Sequence, residues 1–315
     1  MILYIRRIRT AYSQKFILFF IILLLRDNGP LFAEQFLVDA QGAVGAWKKS
    51  TIKSRNAVFT NTNFVQSEIF YDIPKYSKYG IFAYVYHNYS KQSPNLNIMI
   101  LDSRGSAHYG SHRIENIWYL DKPDSGRWFF ISLLDKEYLD LPAGKISIRF
   151  WVDGLGTKTD DGSMGTENIV AIESLFFLPV TESMEVFYSP NIIAPETAIG
   201  DWKVNEYDSL YATNFISSDS INDACVLQIN SPLTGNYSIL TSVLSGAENK
   251  LSFSSVGQGS IPNLSSTQIP AKASWAIERA GPIYLKSGSN KVKILHGAAN
   301  NILIDYLFFI PLDQK

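Results

Sequence analysis

The sequence predicts an all-β protein made of two tandem β-sandwich (jelly-roll) domains behind an amino-terminal signal peptide. Three observations lead there. A set of segments recurs in the same order in the two halves of the chain, segments between turns alternate apolar and polar residues as strands do, and no segment sustains three turns of helical periodicity.

The repeat is weak in identity and strict in order. Ala43-Val44-Gly45-Ala46-Trp47-Lys48 returns as Ala198-Ile199-Gly200-Asp201-Trp202-Lys203. Trp128 in Gly-Arg-Trp-Phe-Phe is matched by Trp275 in Ala-Ser-Trp-Ala-Ile. Tyr138-Leu139 and the following Gly144–Ile148 are matched by Tyr284-Leu285 and Asn290–Ile294, and Ile172–Pro179 by Ile304–Pro311. A period this long excludes a solenoid or propeller repeat and requires two whole domains. These are placed at 35–180 and 190–315, joined by so short a segment that the domains are expected to touch.

Within each half the strand signals are explicit. Ile81–Tyr86 is rich in aromatic and β-branched residues, while Lys145–Trp151 and Lys291–Leu295 alternate as half-buried strands do. Turns rich in Gly, Ser and Asn separate them, as at Ser245–Asn249 and Ser287–Asn290. About eight strands per domain are expected, which makes a sandwich. The nearly continuous apolar runs Leu175–Pro179 and Leu307–Pro311 are expected to be buried strands ended by their prolines.

Composition narrows the function. The 315 residues are 46% hydrophobic with a net charge of −1. With no basic stripe interleaved with aromatics, nucleic acid is not an expected partner. The single cysteine, Cys225, excludes both an internal disulfide and a cysteine zinc site. Arg6, Arg7, Arg9 and Lys15 precede the apolar run Phe16–Leu25, a Gly-Pro break and Leu31-Phe32-Ala33. That order reads as a secretory signal over residues 1–33, an uncleaved anchor being the alternative. Ten residues rise only about 15 Å as a helix, half a bilayer core. No membrane span is expected in the mature chain, and the expected location is secreted, periplasmic or cell surface.

The halves carry more than a generic strand pattern. Val38-Asp39-Ala40-Gln41 with Gly45-Ala46-Trp47 opens the first, Lys78–Val85 forms its middle, and Ala143-Gly144-Lys145 precedes a last strand holding an acid and closing in proline. The second half follows with Thr234–Ile239, Trp275, Leu285 and Asp305. In this the chain resembles the galactose-binding-like β-sandwich superfamily. Within it, the chain is similar to the carbohydrate-binding domains of golvesin and xanthan lyase-type proteins and to carbohydrate-binding modules of the sixth and thirty-fifth families. The resemblance covers nearly all of the mature chain and implies fold more sharply than ligand. It also implies a structural calcium, at Asp39, Gln41 and Glu173 in the first domain and at Glu196 and Asp305 in the second. Surface acids paired with nearby lysines account for the same residues equally well. No other cofactor is required.

No arrangement for catalysis stands out. His108-x-x-x-His112 has zinc-helix spacing, but Tyr109-Gly110-Ser111 oppose a helix and no HExxH glutamate is present, so surface loop histidines are expected. Asp153, Asp160 and Asp161 read as a solvated loop rather than a cation site. There is no GxSxG, P-loop or GxGxxG leading a helix. Each domain is only large enough for its own sandwich, so the chain is not expected to be an enzyme, although a glycosidase's two carboxylates or a lyase's base lie beyond what a sequence excludes.

Carbohydrate recognition asks for aromatic faces framed by hydrogen-bonding groups. Trp47/Trp202 and Trp128/Trp275 recur in both halves and are expected in cores or hairpin clamps. The ligand-binding candidates are therefore Trp118, Tyr119 and Trp151, unique to the first half, and Tyr207 and Tyr211 in the second. The expected function is non-catalytic binding of a polysaccharide or cell-surface glycan by stacking, with the two domains engaging one polymer. An adhesin-type module that docks proteins is the alternative, and a polysaccharide-active enzyme the third. Burial of Trp118, Tyr119, Tyr207 and Tyr211 would favour the structural module.

Overall fold

The computed structural model describes residues 37–88, 94–114, 126–134, 138–155, 168–180, 192–193, 199–208, 210–231, 233–256 and 264–312. The expected signal, residues 1–33, lies outside them. Among the described residues no helix is long and apolar enough to cross a membrane.

Strands dominate. The first half contains β1 (Leu37–Asp39), β2 (Val44–Gly45), β3 (Lys48–Ile52), β4 (Arg55–Thr60), β5 (Ser67–Ile73), β6 (Ser77–His87), β7 (Asn95–Leu101), β8 (Ala107–Arg113), β9 (Arg127–Ser132), β10 (Leu139–Leu141), β11 (Gly144–Asp153) and β12 (Val170–Val180). The second contains β13 (Ile192–Ile193), β14 (Ile199–Gly200), β15 (Lys203–Asp208), β16 (Thr213–Ser218), β17 (Ala224–Ser231), β18 (Gly235–Leu244), β19 (Asn249–Val256), β20 (Leu264–Ile269), β21 (Ala276–Leu285), β22 (Gly288–His296) and β23 (Ile302–Pro311).

One strand plan is written twice. In the first half a five-stranded sheet runs β2-β5-β11-β7-β8, and a larger sheet runs β10-β6-β12-β4-β3 with β1 on β12 and β9 on β6. In the second half the five-stranded sheet is β14-β17-β22-β19-β20, and the larger one β15-β16-β23-β18-β21 with β13 on β23. All pairings are antiparallel, and β21 takes the place of β9 and β10 together. In each half the two sheets share one core, as a sandwich requires. The repeated tryptophans at the first anchor behave as expected of core residues. Trp47 is buried edge-on to Phe150 with Nε1 donating to the Val65 carbonyl at 3.0 Å, and Trp202 is its buried counterpart. Cys225 is buried too, its thiol pushed up to about 12 by loss of water.

The five-stranded sheets alternate, as a sheet with one wet face must: Ile146, Ile148, Phe150 and Val152 of β11 are buried and the residues between them are not. The larger sheets do not alternate. From Tyr79 to His87 in β6, and throughout β23, both faces are buried. One face lies on its own core and the other on the larger sheet of the second sandwich. Phe176 and Phe308, equivalent residues of the repeat, stack with centroids 4.7 Å apart, and Phe130 meets Phe308 edge-on at 5.2 Å. The molecule is therefore four sheets deep, with the two five-stranded sheets outermost.

This contact has approximate two-fold symmetry, in which each half offers the other the same element. The Trp128 N–H donates to the Ala212 carbonyl and the Trp275 N–H to the Ser54 carbonyl, both at 2.8 Å. Ser54 and Ala212 hold the equivalent left-handed conformation, φ 63° and 57°, just before β4 and β16. Trp128 and Trp275 thus clamp hairpins, but those of the opposite sandwich.

At the centre lies Arg55, the first residue of β4, fully buried. Its Nη1 donates to Glu173 Oε1 at 3.0 Å and to Ser242 Oγ at 3.1 Å, and its Nη2 pairs with Asp305. The guanidinium carbon lies 4.9 Å from the Tyr84 ring centroid and 4.4 Å from that of Trp275, with Trp128 and Tyr306 slightly farther. Burial opposes its charge, but Glu173, Tyr84 and Asp305 outweigh that and move its pKa up. Burial likewise lifts the Glu173 carboxyl above the usual range, with Arg55 opposing.

Removing the cation strands two carboxylates in an interior. Arg55→Met is expected to cost about 3–5 kcal/mol in denaturant unfolding, whereas Glu173→Gln, which keeps an acceptor and lowers the negative charge, should cost under about 1.5 kcal/mol. Equal losses in the two variants would show that packing rather than charge holds the contact.

Candidate functional site

Because the central strands of the larger sheets cover one another, the broad open sheet surfaces are the outer faces of the five-stranded sheets. The outer face of β2-β5-β11-β7-β8 holds one sequence-predicted residue, Trp151. Its neighbours Phe150 and Val152 point into the core, so strand alternation turns Trp151 outward, where it is partly exposed.

Three rows of residues cross this face. Trp151 stands opposite Asn97, which stands opposite Ser111. Asp153 stands opposite Asn95, and Arg149 lies between Glu68 and Met99, with Tyr109 beyond. Tyr109 is 68% exposed and Phe70, toward one end, 50%.

The polar groups of these rows are tied to one another. Asn95 Nδ2 and Asn97 Nδ2 each donate to one oxygen of Asp153 at 2.8 Å, and Ser111 Oγ donates to Asn97 Oδ1 at 2.8 Å. Arg149 Nε donates to Glu68 Oε1 at 3.0 Å, and Ser147 bonds the same oxygen. The Ser147 bond first, and then Arg149, hold the Glu68 carboxyl below the usual range. The result is a sheet face with an indole beside amides, a hydroxyl and a carboxylate whose orientations are fixed by their neighbours.

Tyr109 and the amide row were not recognised from the sequence. Residues 108–112 read as a loop with surface histidines, yet they form β8, and His108 and His112 are partly buried. Gly110 disguised the strand. It faces inward, where the Leu133 carbonyl oxygen occupies the space of a Cβ, so glycine is required there. Period-two reading of Ala107, Tyr109, Ser111 and Arg113 was the available signal.

The other ligand candidates fare differently. Trp118 and Tyr119 lie outside the described residues, as do Asp160 and Asp161. Tyr207 belongs to β15. Tyr211 is not an open platform: it packs edge-on against Phe215 at 5.5 Å and Trp275 at 5.8 Å, in the cluster beside the contact between the sandwiches. On the second outer face no aromatic occupies the place of Trp151, because Gly297 stands there, two residues beyond Leu295.

The residues matched to a calcium site do not suit one. Glu173 gives both carboxylate oxygens to Arg55, at 3.0 and 3.2 Å, and Asp305 is shared by Arg55, Tyr84 and Thr213. Asp39 Oδ1 accepts from the Gln41 N–H at 2.8 Å, capping the short turn Ala40–Gly42. A buried guanidinium thus neutralises Glu173 and Asp305, where a divalent cation was expected. Glu196 lies outside the described residues, and no cluster of three potential metal ligands occurs among the described ones.

The sequence matches no described protein family and no curated protein. Solved structures similar to it are carbohydrate-binding modules. A family 6 module of lichenase 5A from Cellvibrio mixtus, in complex with cellotriose, is 16% identical over 39% of this chain and 98% of its own, with a TM-score of 0.32. A family 35 module from Clostridium thermocellum is 20% identical over 39% of this chain and 98% of its own, TM-score 0.30. A tandem pair of family 22 modules from Paenibacillus barcinonensis Xyn10C aligns over 89% of this chain and 94% of its own, at 8% identity and a TM-score of 0.28.

The β7–β8 hairpin that presents Tyr109 is closed by Asp102. Its carboxylate accepts from the Arg104 and Ser106 amides at 2.8 and 3.0 Å, from Arg104 Nη2 at 2.9 Å, and faces His108 Nε2 at 3.2 Å. Desolvation opposes ionisation, but these bonds prevail and hold the carboxyl well below the usual range. Its stabilisation is therefore present above the unfolded value of about 4 and is lost as pH falls toward the lower folded one. The melting-temperature gap between wild type and Asp102→Asn should be steady near neutrality and narrow below about pH 4. A gap independent of pH would remove the carboxylate from this role.

Proposed function

We propose that this protein is an exported, non-catalytic carbohydrate-binding protein that holds a polysaccharide or cell-surface glycan on the outer face of its first sandwich. The observation that carries the reading is the row formed by Trp151, Asn97 and Ser111 beside Asn95 and Asp153. A partly exposed indole can cover the C–H side of a pyranose, and fixed amides and a carboxylate can bond its hydroxyls without first being ordered. A face that runs across adjacent strands in several rows suits a chain rather than a single sugar. The two acids in the rows beside Trp151 support binding without cleavage, since Asp153 is engaged by two amides and Glu68 by Ser147 and Arg149. Export rests on the basic and apolar order of residues 6–33.

One observation favours the alternative of a structural or protein-docking module. Tyr211, an expected stacking residue, is spent on packing between the sandwiches.

The test is calorimetric titration of the folded chain with cello-oligosaccharides, β-1,3-glucan and mannan. Binding to at least one is expected, with Trp151→Ala weakening it by roughly 10–150-fold, the equivalent of about 1.5–3 kcal/mol for a buried aromatic contact. Tyr211→Ala should lower the melting temperature without weakening the ligand. The proposal fails if no glycan binds, or if Trp151→Ala binds as wild type does.

A further inference from the structure

The outer face of the second five-stranded sheet has lost the chemistry of the first and gained another. In matched register, Glu68, Phe70 and Asp72 of the first face become Ala224, Val226 and Gln228 in the second. Ser147 becomes Lys293, Arg149 becomes Leu295, and only Lys145 keeps its character, as Lys291. On the next strand Lys250 points outward at one end, with Ser252 and Ser254 following on the same side. Lys250 and Lys291 are exposed and Lys293 partly so. Among the described residues no carboxylate lies within ion-pair reach of these three lysines, and no outward position of β17, β22, β19 or β20 is acidic. Elsewhere on this protein, exposed lysines do pair: Lys203 with Asp219 and Lys272 with Glu278.

We propose that this face is a second binding surface, for an acidic polysaccharide whose carboxylate or sulfate groups meet Lys250, Lys291 and Lys293. Charge complementarity selects an anionic partner. Ser254, partly exposed beside Lys293, and the exposed Gln228 beside Lys291 offer hydrogen-bonding groups to sugar hydroxyls, whereas Ser252 is buried. The absence of aromatics removes the stacking platform that a single-stranded nucleic acid uses, and the apolar side chains on this face are aliphatic, with Leu264 and Val256 exposed. The assignment of a sugar chain rests on the reading of the first face as a glycan surface. Because the two faces are the outermost layers of a four-sheet stack, they point in opposite directions. The protein then bridges a neutral chain on one side and an acidic chain on the other, instead of gripping one polymer twice.

Biolayer interferometry on the full chain decides this, with immobilised polygalacturonate for carboxylate, dextran sulfate for sulfate, a neutral β-glucan, and duplex DNA. Retention is expected on one of the two acidic polysaccharides, weakened by salt and reduced at least about tenfold in Lys291→Gln/Lys293→Gln, with Lys250→Gln showing a smaller loss in the same direction. The lysine variants should bind the neutral glucan as wild type does, and Trp151→Ala should bind the acidic polymer as wild type does. No retention on either acidic polysaccharide, equal retention on DNA, or indifference to the lysine changes overturns the proposal. Loss of neutral binding alone, with acidic binding intact, overturns the reading of the first face and leaves this one standing.

Discussion

The structure depends on one unlike charge in a dry place. Arg55 sits between two sandwiches with its guanidinium wholly removed from water, at a cost of several kcal/mol if nothing replaced the lost hydration. Two carboxylates and the faces of aromatic residues replace it, and they come from both halves: Glu173 and Tyr84 from the first, Asp305 and Tyr306 from the second. A group that needs partners from both sides fixes the sandwiches against one another in one arrangement. It also makes their contact unlike an ordinary flexible interface between tandem domains. The central strands of the larger sheets are thereby closed to ligands, which leaves the five-stranded faces as the broad open sheet surfaces.

The same contact shows how a duplicated element becomes an asymmetric pair. Along the approximate two-fold axis, Tyr84 stands opposite Ser174 across its strand pair, while the second half has Ser242 opposite Tyr306. Large and small have changed places between strands, so the summed volume at the axis is retained while the two tyrosines, centroids 5.0 Å apart, come from different halves. Arg55 is matched by Thr213, whose hydroxyl donates to Asp305 at 2.8 Å. One cation therefore serves two acids, which is consistent with the raised pKa of Glu173.

The strand plan was legible because alternation, turn residues and the repeat all report on local burial, and local burial decides which face of a strand carries apolar residues. The doubly buried strands were legible as apolar runs, but what covered their second face was not. A sequence states that a residue avoids water without stating which surface shields it. The recurrence of an acid at Glu173 and Asp305 was real and its cause was misassigned, since Arg55 lies 118 residues from one and 250 from the other and carries no mark of being buried. Trp151 was legible as an aromatic without a repeat partner, and the structure turns it outward between the buried Phe150 and Val152. Tyr211 was read as a second-half equivalent of Trp118 and Tyr119, but its position before β16 packs it against Trp275 of its own half, a contact that alternation does not encode.

The two outer faces follow from the pinned core by elimination of constraint. Residues at the contact must satisfy Arg55 and one another, and the repeat is best kept there, in Trp128/Trp275 and in Ile172–Pro179 against Ile304–Pro311. Residues on the outer faces touch only their row neighbours and solvent, so a change at one of them disturbs nothing deeper. The matched rows have accordingly diverged in charge and in aromatic content while their strands kept register. A scaffold held by a buried charge thus leaves its two exposed sheets free to carry different chemistry, facing away from each other.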